Sequence, residues 1–109
     1  MIKLYNYKTL SMDPYLKQKV LTASPAQLIS YVYDLGISSC INRDKIKLNK
    51  VLAHLKSSLR YEPKTEDISK TFFSVYEHLS FLIKNDKFDE AKNIFTEVKL
   101  VWKQANKLQ

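Results

Sequence analysis

The chain has 109 residues, 45% apolar and 27% charged, with 18 Lys plus Arg against 11 Asp plus Glu for a net charge of +7. That composition describes one ordinary globular domain over 1-109, large enough to bury a core without staples and too apolar to stay disordered. One glycine, three prolines and one cysteine exclude a turn-rich sheet protein, a glycine-rich phosphate loop, an internal disulfide and a cysteine-based zinc site.

Residues 1-12, Met1 to Met12, hold Tyr5 and Tyr7 without an apolar run, and a flexible terminus is expected there. No signal-peptide core precedes Leu10, and no stretch approaches the roughly 18 apolar residues of a membrane span. The lone Cys40 points to a reducing compartment. A cytoplasmic location is expected. Asp13 as N-cap and Pro14 in the first turn predict a short helix over 14–20. Ser24, Pro25 and Gln27 then spell a capping box, so a main helix should start at Pro25. Leu28, Val32, Leu35 and Ser39 form one inward stripe of that helix, with Ile29, Tyr33, Gly36 and Cys40 beside it. Asn42-Arg43-Asp44 breaks the pattern, and Asp44 can cap a second helix with Leu48, Leu52, Leu55 and Leu59 as its stripe. Tyr61-Glu62-Pro63-Lys64 is a turn, and Thr65 should cap a third helix, with Glu66 and Asp67 in its first turn. Its stripe is Ile68, Phe72, Val75, Leu79 and Leu82, with Phe73, Tyr76 and Ile83 alongside. After Asn85-Asp86-Lys87, a fourth helix repeats Phe88, Ala91, Phe95, Val98, Trp102 and Ala105 at steps of three and four. The expected fold is all-α: an antiparallel up-down-up-down four-helix bundle with a short N-terminal capping helix.

The chemistry-bearing residues are sparse. His54 and His78 sit on different predicted helices with no carboxylate or thiol at ligand spacing, and both read as boundary histidines facing solvent or a neighbour. Cys40 lies on an inward stripe and reads as a small core residue. Acidic residues fall mostly at helix starts, where capping explains them. No enzyme, metal or cofactor is expected. The basic excess raises a nucleic-acid reading, yet only Arg43 and Arg60 are arginines and the lysines are spread along the chain. They cluster mildly at Lys45, Lys47, Lys50 and Lys56 and at Lys99, Lys103 and Lys107. Seven Tyr, five Phe and one Trp are many for a small bundle, and Tyr5, Tyr7, Tyr15 and Tyr31 do not all fit inside. Part-exposed tyrosine is a common contact residue for a protein partner.

One run decides between these readings. Tyr15, four intervening residues, Val20-Leu21-Thr22-Ala23-Ser24-Pro25, then Leu28 and Tyr33-Asp34 resemble the start of the flagellin export chaperone FliS family. Ser58-Leu59, Val75-Tyr76-Glu77 and Val101-Trp102-Lys103-Gln104-Ala105 follow in the family's order, so the likeness runs from Tyr15 to Ala105. Tyr31-Val32-Tyr33-Asp34-Leu35-Gly36 departs from the family's usual Met-Leu-Tyr-Asp-Gly-Ala by moving the small residue one position. The first three helices also look shorter than usual. The resemblance implies an all-helical cytoplasmic chaperone, without ATP or cofactor, that binds the C-terminal region of flagellin, prevents premature polymerisation and assists type III export. It implies the flagellar export gate as a second partner, no membrane insertion and no specific nucleic acid. The partner-binding positions it carries over are Tyr15, Leu16, Val20, Thr22, Ala23, Pro25, Ile29, Tyr33 and Tyr76, with the Tyr15 to Val20 segment lying over part of the client surface. The alternatives left open are an adaptor or regulator of the same fold serving a different client, and a basic helical nucleic-acid-binding module.

Overall fold

The computed structural model describes residues 23–108, and in that range the chain forms four helices: α1 (Pro25–Ile41), α2 (Lys45–Ser57), α3 (Glu66–Lys84) and α4 (Phe88–Ala105). The expected helix over 14–20, with Tyr5 and Tyr7 before it, lies outside the described residues. No helix of the described residues is long and apolar enough to cross a membrane.

Local chemistry sets the boundaries. At α1 the capping box is complete: the Gln27 N–H donates to Ser24 Oγ, and the Ser24 N–H donates to the Gln27 side chain at 2.9 Å. Asp44 caps α2 by accepting from the Lys47 N–H at 3.0 Å. Three helices end in the same way. Asp44, Lys87 and Leu108 N–H groups reach back to the Ser39, Leu82 and Lys103 carbonyls, and the residue before each of them is left-handed. Those residues are Arg43, Asp86 and Lys107, with φ of 54°, 62° and 54°, so these Schellman closures are made without glycine.

Two expectations are corrected at the join of α2 and α3. Leu59 lies past the end of α2 and packs half-buried against the core from the loop, because Ser57 and Ser58 turn their hydroxyls onto the His54 and Leu55 carbonyls and the helix stops. Thr65 sits at the start of α3 but makes no cap; its hydroxyl donates backwards to the Arg60 carbonyl at 2.8 Å. Glu66 and Asp67 do occupy the first turn of α3, where they complement the positive helix end.

Each helix packs on its chain neighbours and α4 returns to α1, which closes a compact bundle. Neighbours run in opposite directions. Trp102 late in α4 bonds to Ala26 early in α1, while Arg43 after α1 stacks over Phe88 at the start of α4. Lys45 early in α2 meets Asp86 after α3 at 2.7 Å. The core is made by Val32, Tyr33, Leu48, Val51, Leu55, Leu79, Ala91 and Phe95, all nearly inaccessible. Gly36 is the point of closest approach: a Cβ there would stand 2.7 Å from the Phe95 ring.

The two ends of the bundle differ. At the end holding the α1–α2 and α3–α4 links, Cys40, Leu82, Ile83 and Phe88 are buried. At the opposite end the expected stripes open out: Ile68 is 60% exposed, Ala105 is exposed, and Phe72, Val75, Val98 and Trp102 are half-buried. Phe73, expected alongside the α3 stripe, is also exposed and lies under the Lys56 ammonium. The cause is length. α2 has 13 residues against 17 in α1, 19 in α3 and 18 in α4, so the first turns of α1 and α3 and the last turn of α4 face the loop after α2.

Candidate functional site

A groove with a cavity of about 540 Å³ occupies the open end, bordered by all of the elements that meet there except α2 itself. α1 contributes Pro25, Ala26 and Ile29; the loop after α2 contributes Leu59 and Arg60; α3 contributes Ile68, Phe72 and Tyr76. Trp102 reaches in from α4. The floor is aromatic. Phe72 lies 6.1 Å from Tyr76 and 6.3 Å from Trp102, ring centre to ring centre, the latter edge-on, and Trp102 in turn meets Tyr33 edge-on at 6.4 Å.

Two interactions hold that floor in place. Tyr33 from α1 and Tyr76 from α3 join hydroxyl to hydroxyl at 2.7 Å across the bundle's diagonal. Burial pushes both phenols above their ordinary pKa, Tyr76 to about 12, so neither ionises near neutral pH. The Trp102 indole N–H donates to the Ala26 carbonyl at 2.8 Å, tying α4 to the first turn of α1. Asp34 and Lys99 pair one to two turns further along the same two helices.

The polar side chains of the wall are engaged with their own backbone. Thr65 and Ser69 hydroxyls donate to the Arg60 carbonyl, Ser58 to Leu55, and the Asn106 amide to Trp102. Among the described residues Arg60 is the sole charged one lining the groove, and its guanidinium pairs with the exposed Glu62 carboxylate at 3.7 Å.

Of the positions expected from sequence to bind a partner, Pro25, Ile29 and Tyr76 line this groove. Tyr33 lies behind Tyr76 and is wholly buried, so it supports the floor and offers no surface. Ala23 begins the described chain next to the rim residue Ser24. Tyr15, Leu16, Val20 and Thr22 lie outside the described residues. Sequence reasoning assigned Phe72 and Trp102 wholly to the core and gave Leu59, Arg60 and Ile68 no part in a site. The signal that could have found them is Ser57-Ser58 followed by a proline turn, which marks an early end to α2.

The remaining candidates lie outside this groove. Cys40 is buried, and desolvation pushes its thiol up to about 11, which leaves it protonated and unreactive near neutral pH. His54, expected at a boundary, turns into the bundle at 9% exposure, whereas His78 is exposed and stacks on Phe81. The α2 lysines are partly spent on neighbours, Lys45 on Asp86 and Lys56 on Glu77. Among the described residues no three His, Cys, Asp or Glu side chains gather as metal ligands would. No family model, no curated protein and no solved structure matches the chain, and what the groove can do follows from its own walls.

Proposed function

We propose that the chain is a client-holding chaperone of the FliS kind, binding the C-terminal region of flagellin at the open end of the bundle and keeping it from polymerising before type III export. The observation that carries this reading is the apolar, aromatic-floored groove that the bundle leaves unsealed. An aggregation-prone amphipathic segment needs such a surface, and a partner that folds on binding can cover much of it. The motif from Tyr15 to Pro25 supports the same reading, because its last residue stands on the groove's rim. The segment Tyr15 to Val20 then competes with the client for that surface, and the flagellar export gate takes the loaded complex. The work is done by binding alone, in the cytoplasm, with no ATP, cofactor or catalytic residue.

The test is titration of a flagellin C-terminal peptide into the full chain by calorimetry, with amide exchange followed over residues 14–20. Saturable binding with loss of protection in that segment is expected. Absence of binding at micromolar peptide would remove flagellin as the client. The shortness of α2 favours one second reading, an adaptor of the same fold whose groove, opened by that short helix, takes a different client.

A further inference from the structure

The outer surface of α2 carries one sign of charge. A solvated helix face ordinarily mixes signs, as α3 does with Glu66, Lys70, Glu77 and Lys84, all exposed. α2 has no acid along its whole length and holds Lys45, Lys47, Lys50 and Lys56. Lys45 is matched by Asp86 and Lys56 by Glu77, from outside the helix. Among the described residues Lys47 and Lys50 have no carboxylate in ion-pair range, and the nearby Asp44 carboxylate accepts from the Lys47 N–H at 3.0 Å. Ile46, Asn49, Lys50 and Ala53 are exposed at steps of three, one and three, which is one helix face. Ile46, at its head, is 73% exposed. The apolar stripe of α2, Leu48, Val51, Leu52 and Leu55, is buried in the bundle, so the outer face is left to solvent.

The chemistry of that face narrows its occupant. A lipid surface takes up a helix through a broad apolar face, and α2 has turned that face inward. A nucleic-acid duplex presents one phosphate charge per roughly 1.7 Å and a charged backbone with nothing apolar for Ile46, whereas this face offers it Lys47 and Lys50. A protein segment with a few carboxylates around one apolar side chain matches the sign, the small number of charges and the isoleucine together. We infer that the solvent face of α2 docks an acidic segment of a partner protein, with its carboxylates on Lys47 and Lys50 and an apolar side chain on Ile46. The surface is separate from the groove, which no residue of α2 lines, and it does not depend on what the groove holds.

The probe is a fluorescein-labelled peptide with one leucine between pairs of glutamates, added to the full-length protein at about 0.05 M NaCl, where screening is weak, and followed by anisotropy. Saturable binding is expected, and Lys47→Glu with Lys50→Glu should weaken it about tenfold or more. Both changes put acids in the early turns of α2, where they favour the helix, so the melting temperature should hold or rise while binding falls. Lys64→Glu with Lys70→Glu makes the same change in net charge at exposed positions near the other end of the bundle, and should alter binding by less than about threefold. Ile46→Ser should weaken binding about threefold or more. The peptide with lysines in place of glutamates should prefer the Lys47→Glu, Lys50→Glu protein to the wild type. Emission of Trp102, the chain's single tryptophan and a residue of the groove, should stay unchanged.

Five results overturn the inference. The first is no saturable binding. The second is equal weakening by the two double variants, which reduces the effect to net charge. The third is a shift of Trp102 emission on binding, which puts the peptide in the groove. The fourth is binding indifferent to Ile46→Ser, with a random-sequence duplex or phosphatidylserine vesicles bound more tightly than the peptide and released by Lys47→Glu with Lys50→Glu, which gives the face to a nucleic acid or a membrane. The last is self-association of the protein alone in sedimentation, abolished by the same pair, which gives it to a second copy.

Discussion

Gly36 shows how one missing methyl group fixes a helix pair. In the middle of α1 a glycine costs about 1 kcal/mol in helix propensity relative to alanine, yet an alanine Cβ would meet three atoms of the Phe95 ring within 2.9 Å. Phe95 is fully buried and has no free volume to yield into. Overpacking of about 1 to 3 kcal/mol offsets the propensity gain, so Gly36→Ala lowers stability by up to about 2 kcal/mol in denaturant unfolding. Adding Phe95→Leu should recover part of that loss, and strictly additive effects would show that the contact does not limit the packing. His54 belongs to the same scale. Desolvation lowers its pKa in the fold below the ordinary 6.5. The unfolded chain therefore binds this proton first as pH falls, and stability is full above about pH 6.5 and drops below it until the folded-state pKa is passed. Melting temperatures of the wild type and His54→Gln between pH 8 and pH 5 should converge towards the acid side; parallel curves would assign the acid loss to other groups.

The elements themselves end where short-range chemistry ends them. Ser24→Ala removes the acceptor for the Gln27 N–H, which is half of the capping box, and should cost about 1 kcal/mol while leaving the groove's floor intact. A loss well below that in urea unfolding would mean that Pro25 alone fixes the start of α1. This start was legible because three residues, Ser24, Pro25 and Gln27, agree with the stripe that follows them. The Asp44 cap and the burial of Tyr33, Leu48, Leu55 and Leu79 were legible for the same reason. The groove was not. Ile68, Phe72, Trp102 and Ala105 keep the spacing of core residues, and periodicity tells which face of a helix is apolar without telling whether a partner extends far enough to cover it. Only the early stop of α2, made by the Ser57 and Ser58 hydroxyls, turns half of two core stripes into a wall.

Across the whole molecule, apolar burial and charge are divided between different places. One end of the bundle is closed by Schellman turns and by Arg43 over Phe88; the other is open and nearly uncharged along its groove. The ion pairs Lys45 to Asp86, Lys56 to Glu77 and Lys70 to Glu66 lie on the flanks, partly exposed to solvent, where salt screens them and each contributes little. A client held by apolar anchors should then respond weakly to salt, with the +7 of the chain acting mainly on the rate of encounter. Between about 0.05 and 0.5 M NaCl, the client's Kd should change by less than about tenfold, and most of that in the on-rate. Duplex DNA makes the opposite demand, because each phosphate contact contributes to a steep logarithmic loss of affinity with salt. Surface plasmon resonance of a flagellin peptide and of a random-sequence duplex over the same salt series separates the two. Tight duplex binding that persists at physiological salt, with a client off-rate that climbs with salt, would place the function on the lysines of α2 and α4 and leave the groove as an unfilled end of the core.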